Sequence, residues 1–283
     1  MMTRVMGTVL ALSVAAVAAS RPEMLVSTDW LAKNLADANL IVLHVAANRT
    51  AYDAGHIPGA RFVALGQLAI TVNGIPNELP PVADLKRILE AAGVSDETRV
   101  IVYSDASVLP ATRAYFTMDY LGHGDHAALL DGGLEKWRSE GRELTKDAPP
   151  VTSGHFTPRP KPELVVQMEA VKQMAGNRSE VLLDVRPPAD YRGEKGAHIP
   201  GALNLYWMED QTSHDNQALK PEADLRKLYE AAGITPDRPV VTYCNSGMQA
   251  SQSYFTLKYL GYDVRMYDGS MSEWKAKGAP VEK

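Results

Sequence analysis

Four blocks of this chain occur twice, in the same order, and that duplication constrains the fold more than any other feature. His56-Ile57-Pro58-Gly59-Ala60 returns as His198-Ile199-Pro200-Gly201-Ala202. Residues 84–93, DLKRILEAAG, return over 224–233 as DLRKLYEAAG. Tyr115-Phe116-Thr117 with Tyr120-Leu121-Gly122 returns as Tyr254-Phe255-Thr256 with Tyr259-Leu260-Gly261, and Asp131-Gly132 with Trp137 returns as Asp268-Gly269 with Trp274. The offsets are 142, 140, 139 and 137 residues, the slow drift left by loops that differ by a residue or two. A period this long is no solenoid repeat, so the chain reads as two copies of one domain, which its 283 residues allow. The copies are placed at residues 24–144 and 165–283. The intervening 145–164 holds Pro149, Pro150, Pro158, Pro160 and Pro162 without a helical period and reads as a semi-rigid linker.

Each copy alternates short apolar strands with helical patterns. In the first, helices are predicted over 29–36, 82–92, 112–121 and 134–140, with Ser27 or Thr28 capping the first. Strands are predicted over 40–45, 100–104 and 127–130. In the second, helices are predicted over 165–174, 224–232 and 250–260, and strands over 181–185, 240–243 and 264–267. Continuous apolar strands interleaved with helices argue for an α/β fold: two tandem domains, each a parallel sheet with helices on both faces.

The chemistry gathers at one place. Cys244 is the single cysteine, at the end of the apolar run 240–243 and before the loop Asn245-Ser246-Gly247-Met248-Gln249. A strand-to-helix turn aims several backbone N–H groups at one point, holds anions and lowers the pKa of a thiol placed there. The copy offset sets Ser104 opposite Cys244, followed by Asp105-Ala106-Ser107-Val108-Leu109-Pro110. An acid would repel a bound anion and a proline lacks the N–H, so the first copy is expected to be inactive. Arg186 follows the strand 181–185 at the end where α/β sites form, and the first copy has Ala46 there. Asp184, opposite His44, is expected to orient the loop or Arg186, and Arg192 is a second candidate cation.

Composition excludes several classes. A net charge of -5 with interspersed signs argues against a nucleic-acid surface. One cysteine forbids an internal disulfide, and the seven histidines show no zinc spacing, so neither a metal nor a cofactor is expected. Residues 1–19 have the form of a secretory signal peptide: Arg4, an apolar stretch over 5–19 and a small-x-small site. They imply a periplasmic or secreted protein, with a cytoplasmic one as the alternative, and no membrane association after cleavage.

From residue 24 to the end the chain resembles the tandem-domain rhodanese family, the thiosulfate and 3-mercaptopyruvate sulfurtransferases. The resemblance is carried by the two His-Ile-Pro-Gly-Ala blocks, Leu183-Asp184-Val185-Arg186, the Cys244 loop, and Asp268-Gly269 with Trp274. It implies a catalytic C-terminal domain, an inactive N-terminal partner, a cleft between them, and ping-pong transfer through a cysteine persulfide. The partners implied are a small sulfur donor and a thiophilic acceptor. Cys244, Ser246 and Asp184 are the expected catalytic residues. Backbone groups from Asn245 to Ala250, with Asn245, Gly247, Met248 and Gln249 as substrate contacts, would stabilise an anionic persulfide. Arg186 and Arg192 match arginines that hold the donor's anionic group, and His56 is a further candidate facing the cleft. The neutral loop favours mercaptopyruvate or another organic donor over thiosulfate, although Met248-Gln249 matches neither type. The alternatives are a non-catalytic persulfide carrier and a Cys-loop phosphatase; the latter lacks its loop arginine.

Overall fold

The computed structural model describes residues 18–193, 196–213 and 217–283. The predicted signal segment lies, up to residue 17, outside the described residues. Two parallel sheets form the frame. The first copy supplies β1 (Leu25–Val26), β2 (Leu40–Ala46), β3 (Arg61–Ala64), β4 (Ile70–Val72), β5 (Ile75–Glu78), β6 (Arg99–Tyr103) and β7 (Ala127–Leu130). The second supplies β8 (Val181–Asp184), β9 (Leu203–Asn204), β10 (Val240–Tyr243) and β11 (Val264–Met266). The orders are β1-β7-β6-β2-β3 and β11-β10-β8-β9. A single parallel bridge from Val165 to Met266 stands where β1 stands in the first copy, so the two sheets share one topology. The central strands are buried along nearly their whole length, and mostly apolar apart from His44, Asp184 and Thr242, because helices cover both faces.

The linker 145–164 carries one 3-10 turn, Pro162–Leu164, and straps along the first copy. Gly154 N donates to the Glu90 carbonyl and Arg159 N to that of Leu121, while Phe156 is buried. The segment 165–167, predicted as helix, is extended. Val166 N donates to the Met266 carbonyl, so the sheet claims those residues, and the helix is Met168–Asn177.

The copies meet along helices Leu109–Tyr120 and Met248–Tyr259, each buried on nearly every side. Tyr115 meets Phe255 edge to face, and Phe116 meets Tyr254 likewise, both at 4.9 Å. Thr112 Oγ1 lies 3.0 Å from Ser251 Oγ. Tyr115 and Tyr254, Phe116 and Phe255, and Thr112 and Ser251 are all related by the 139-residue offset. The contact is therefore a pseudo-twofold one, the internal equivalent of an isologous dimer interface.

A hairpin that the sequence pattern did not reveal, β4–β5, leaves the first copy and reaches the second. Its turn, Asn73-Gly74, has both residues at positive φ, as a two-residue hairpin loop of the primed type needs.

Candidate active site

The strand β10 ends at Tyr243, and the next residue is the thiol. Helix Met248–Tyr259 begins two residues earlier than the apolar pattern suggests, with Gly247 as its N-cap at φ 78°. A Cβ on Gly247 would fall inside contact distance of Asp268 Oδ1, so both the φ and the space require glycine. The resulting turn is tight. The backbone N–H groups of Ala250, Ser246 and Gln249, with the Ser270 hydroxyl, face Cys244 Sγ. The nest is thus narrower than residues 245–250. Gly247 N and Cys244 N donate instead to Ser270 Oγ, at 3.2 and 3.1 Å.

Ser270 is a site residue that the sequence reading missed. It sits at φ 49°, a conformation L side chains avoid, and it is fully buried. Its counterpart is Gly133 at φ 57°, in Asp131-Gly132-Gly133 against Asp268-Gly269-Ser270. That comparison was the available signal: one copy places a hydroxyl where the other keeps the expected glycine. The Ser270 hydroxyl donates to the Tyr267 carbonyl at 2.9 Å and also favours the thiolate form of the neighbouring sulfur.

Cys244 is 1% exposed. Burial pushes its thiol above the ordinary value, and the N–H groups and the Ser270 hydroxyl offset that only in part. The expectation of a depressed thiol pKa is corrected here: desolvation outweighs the helix N-terminus.

Asp184 and Arg186 form one unit. Arg186 Nη2 donates to Asp184 Oδ2 at 2.6 Å and Nε to Oδ1 at 2.9 Å, and Arg186 N also donates to Oδ1. Nη2 further reaches the Ala197 carbonyl, and Nη1 points to Asn245 Oδ1 at 3.5 Å. Burial alone would depress this guanidinium; the Asp184 carboxylate outweighs it and holds the pKa above its ordinary value. The side chain is buried, so only its Nη1 edge addresses the loop. Asn245 itself is exposed, and Met248 and Gln249 are half-buried, with Gln249 Oε1 lacking a hydrogen-bond partner. Arg192 lies on the exposed turn after helix Pro188–Tyr191.

His56 is not brought to the loop. It is buried in the first copy, stacked on Tyr52 at 3.7 Å, with Nδ1 at the Tyr52 carbonyl and Nε2 at that of Asp147. His198 repeats the arrangement on Tyr191. Both histidines brace their Pro-Gly loops, which is why both copies keep them.

The first copy's loop is closed upon itself. Ser104 Oγ donates to the Ser107 carbonyl at 2.5 Å, Asp105 pairs with His44 Nε2 at 2.8 Å, and Ala106 N donates to Glu135. Burial outweighs the Asp105 partner and leaves the His44 pKa below its ordinary value. Among the described residues no group of three or more His, Cys, Asp or Glu side chains converges as for a metal ion.

The first copy nevertheless enters the second copy's site. Buried Arg113 makes a bidentate pair with Asp268, at 2.5 and 2.9 Å, beneath Gly247. Its Nη2 also holds the Asn77 carbonyl, and the Asn77 amide donates to Ser246 Oγ at 2.9 Å. Sequence spacing gave no hint of either residue's role, because the hairpin that carries Asn77 went unread.

Two parallel-sheet domains related by a pseudo-twofold axis, one with a thiol cradled by N–H groups after its central strand, define a tandem α/β Cys-loop protein. The chain belongs to the rhodanese-like domain family, which matches residues 27–140 and 167–277. It is 34% identical over 286 residues to the sulfur carrier protein TtuD of Thermus thermophilus, covering 93% of this chain and 98% of that one. It is also 34% identical over 272 residues to a candidate thiosulfate sulfurtransferase of Synechococcus elongatus, covering 91% of this chain and 84% of that one. Among solved structures, wild-type EanB superposes with a TM-score of 0.83 at 27% identity, over 92% of this chain and 69% of that one. The anaerobic ergothioneine biosynthesis enzyme of Chlorobium limicola, in complex with trimethyl histidine, superposes equally well at 26% identity, over 92% of this chain and 70% of that one.

Proposed function

We propose that the chain is a sulfurtransferase that moves a sulfane sulfur from a small anionic donor to a thiophilic acceptor through a Cys244 persulfide. One observation carries the reading: three backbone N–H groups and one hydroxyl face a single sulfur. Such a cradle stabilises an anion on sulfur without a metal. The Cys244 thiolate attacks the outer sulfur of the donor and forms an S–S bond. The donor's own bond to that sulfur breaks, and sulfite, or pyruvate as its enolate, leaves with the electron pair. An acceptor such as cyanide then attacks the terminal persulfide sulfur, leaving as thiocyanate and returning the thiolate. The relatives' names agree with the class: one is a sulfur carrier, and another is named for thiosulfate sulfurtransfer. One EanB structure is described as a cysteine persulfide with ergothioneine in a tetrahedral intermediate state.

The donor is part of the proposal. Residues 245–249 hold no cation, which favours mercaptopyruvate or another organic donor over a compact dianion. Export is proposed from the N-terminal stretch alone, and mass measurement of the protein recovered from an oxidising compartment tests it. The second reading, a carrier that accepts sulfur without turnover, is favoured by the burial and raised pKa of Cys244.

The test is thiocyanate production from cyanide with thiosulfate or mercaptopyruvate, alongside mass spectrometry of the protein after each donor. Turnover with one added sulfur on Cys244, abolished in Cys244→Ser, is expected. Loading without turnover selects the carrier. Turnover that survives Cys244→Ser overturns the mechanism.

A further inference from the structure

We propose that Asn77, a residue of the copy without the cysteine, is a positioning residue that fixes the direction in which the Ser246 hydroxyl donates. The inference rests on the sulfurtransferase reading above and adds a role for the hairpin β4–β5.

Three observations converge on Asn77. Its backbone has φ 62°, the left-handed region that asparagine tolerates better than most residues. Its carbonyl accepts from Arg113 Nη2 at 2.5 Å, and Arg113 is fully buried and locked to Asp268. Its side-chain amide donates to Ser246 Oγ at 2.9 Å. The hairpin is thus pinned by Arg113 of its own copy, itself locked to the second copy's Asp268, and the amide has little freedom to turn away.

The pseudo-twofold axis gives an internal comparison. At the 140-residue offset Asn77 corresponds to Gln217, which is buried. A Cβ placed on Gly133, the Ser270 counterpart, would lie 3.6 Å from Gln217 Oε1, which has no hydrogen-bond partner. Each copy therefore lays an amide side chain beside the other copy's loop. Among the described residues, the amide next to the cysteine reaches a hydroxyl, Ser246 Oγ, whereas Gln217 Oε1 has no partner.

The consequence is directional. A serine hydroxyl has one proton and two acceptor lone pairs. With one lone pair filled by the Asn77 N–H, the proton is turned away from Asn77 and left to donate to a bound donor. The Ser246 backbone N–H is already aimed at Cys244 Sγ. Backbone and side chain of one residue then serve two ends of the donor: the N–H serves the sulfur, and the hydroxyl serves the donor's anionic oxygen. Without Asn77 the hydroxyl rotates freely and its donation is lost for part of the time.

The test compares Asn77→Gly, Asn77→Asp, Ser246→Ala and the double variant Asn77→Gly with Ser246→Ala. Glycine keeps the φ and removes the donor; aspartate keeps the φ and reverses the polarity, drawing the Ser246 proton onto itself. Donor KM, cyanide KM and kcat are measured, with sulfur loading of Cys244 followed by mass. Asn77→Gly is expected to raise donor KM about tenfold, the worth of one hydrogen bond, with kcat and cyanide KM within about twofold. Asn77→Asp is expected to raise it further. In the Ser246→Ala background, Asn77→Gly should add nothing. Wild-type behaviour of Asn77→Asp, or a penalty that persists without the serine hydroxyl, overturns the inference. Wild-type protein that loads no sulfur overturns the functional reading itself; wild-type loading with unaffected Asn77 variants sinks the positioning role alone.

Discussion

At Cys244 two environments compete for one sulfur. The N–H cradle favours thiolate, and burial favours thiol, and burial prevails. In the free protein the thiolate fraction should therefore keep growing above pH 9, near the ordinary thiol value. Iodoacetamide alkylation followed by mass is expected to accelerate through that range; a rate that levels off near pH 7 would mean the cradle wins. Ser270 bears on the same balance. Its oxygen accepts from two buried loop N–H groups, and its proton can reach the sulfur. Ser270→Ala leaves both N–H groups without their partner and should cost about 1–3 kcal/mol in urea unfolding, with slower sulfur loading. Ser270→Gly should be roughly 1 kcal/mol more stable than the alanine variant, because glycine adopts the positive φ freely, yet should load as slowly. If the glycine variant loads at the wild-type rate, the hydroxyl matters to the loop's geometry and not to the sulfur.

At the scale of elements, the hairpin β4–β5 has a cost as well as a use. Glu78, at its end, is half-buried beside Asp268 and Glu273, with Oε1 unpaired. Burial and then the Asp268 charge push its carboxyl up to about 7, against the opposing pull of Arg113. Between the unfolded value of 4.5 and 7 the folded chain holds a proton that the unfolded chain releases. Glu78 therefore contributes stability below that window and loses it as pH rises through it. Relative to wild type, Glu78→Gln should gain about 1–3 kcal/mol between pH 5 and 8, a range discounted for partial solvent contact. Urea midpoints of the two proteins that stay parallel across that range would refute the assignment. The same hairpin shows what sequence reading can and cannot reach. Val72-Asn73-Gly74-Ile75 carries a hairpin-turn signal, but strands of three and four residues leave no alternation to notice. The longer elements were legible because apolar runs such as 40–45 and 240–243, and helices ended by Gly93 and Gly122, carry their signal locally. Cys244 and Gly247 were legible for the same reason. Arg113, Asn77 and Ser270 were not, because their meaning depends on the other copy or on a turn closed 26 residues downstream.

At the scale of the whole molecule, duplication explains how one copy came to serve the other. A pseudo-twofold interface sets residue 119 near its own counterpart, residue 258. Two identical carboxylates there would repel; the chain has Asp119 and Lys258, a pair that equal copies could not form. Burial alone would raise the Asp119 pKa, but Lys258, Tyr254 and Lys161 together hold it below its ordinary value. Tyr254 donates to it at 2.6 Å, and Lys161, from the linker, stands at 3.2 Å. One buried carboxylate thus joins first copy, linker and second copy. Its contribution is present above the unfolded pKa of 3.8 and lost as pH falls below that value and through the lower folded pKa. Asp119→Ala should lower stability by about 3–5 kcal/mol, because Lys258 is left largely buried without its partner. Asp119→Leu with Lys258→Met should recover most of that loss, since the pair's own desolvation cost disappears with it. Urea unfolding followed by fluorescence and far-UV circular dichroism is expected to give one coincident transition in the wild type, because the two central helices bury each other. Two separated transitions in the wild type would show that the copies fold independently. The hairpin's reach to Ser246 would then rest on a docking equilibrium rather than on a shared core.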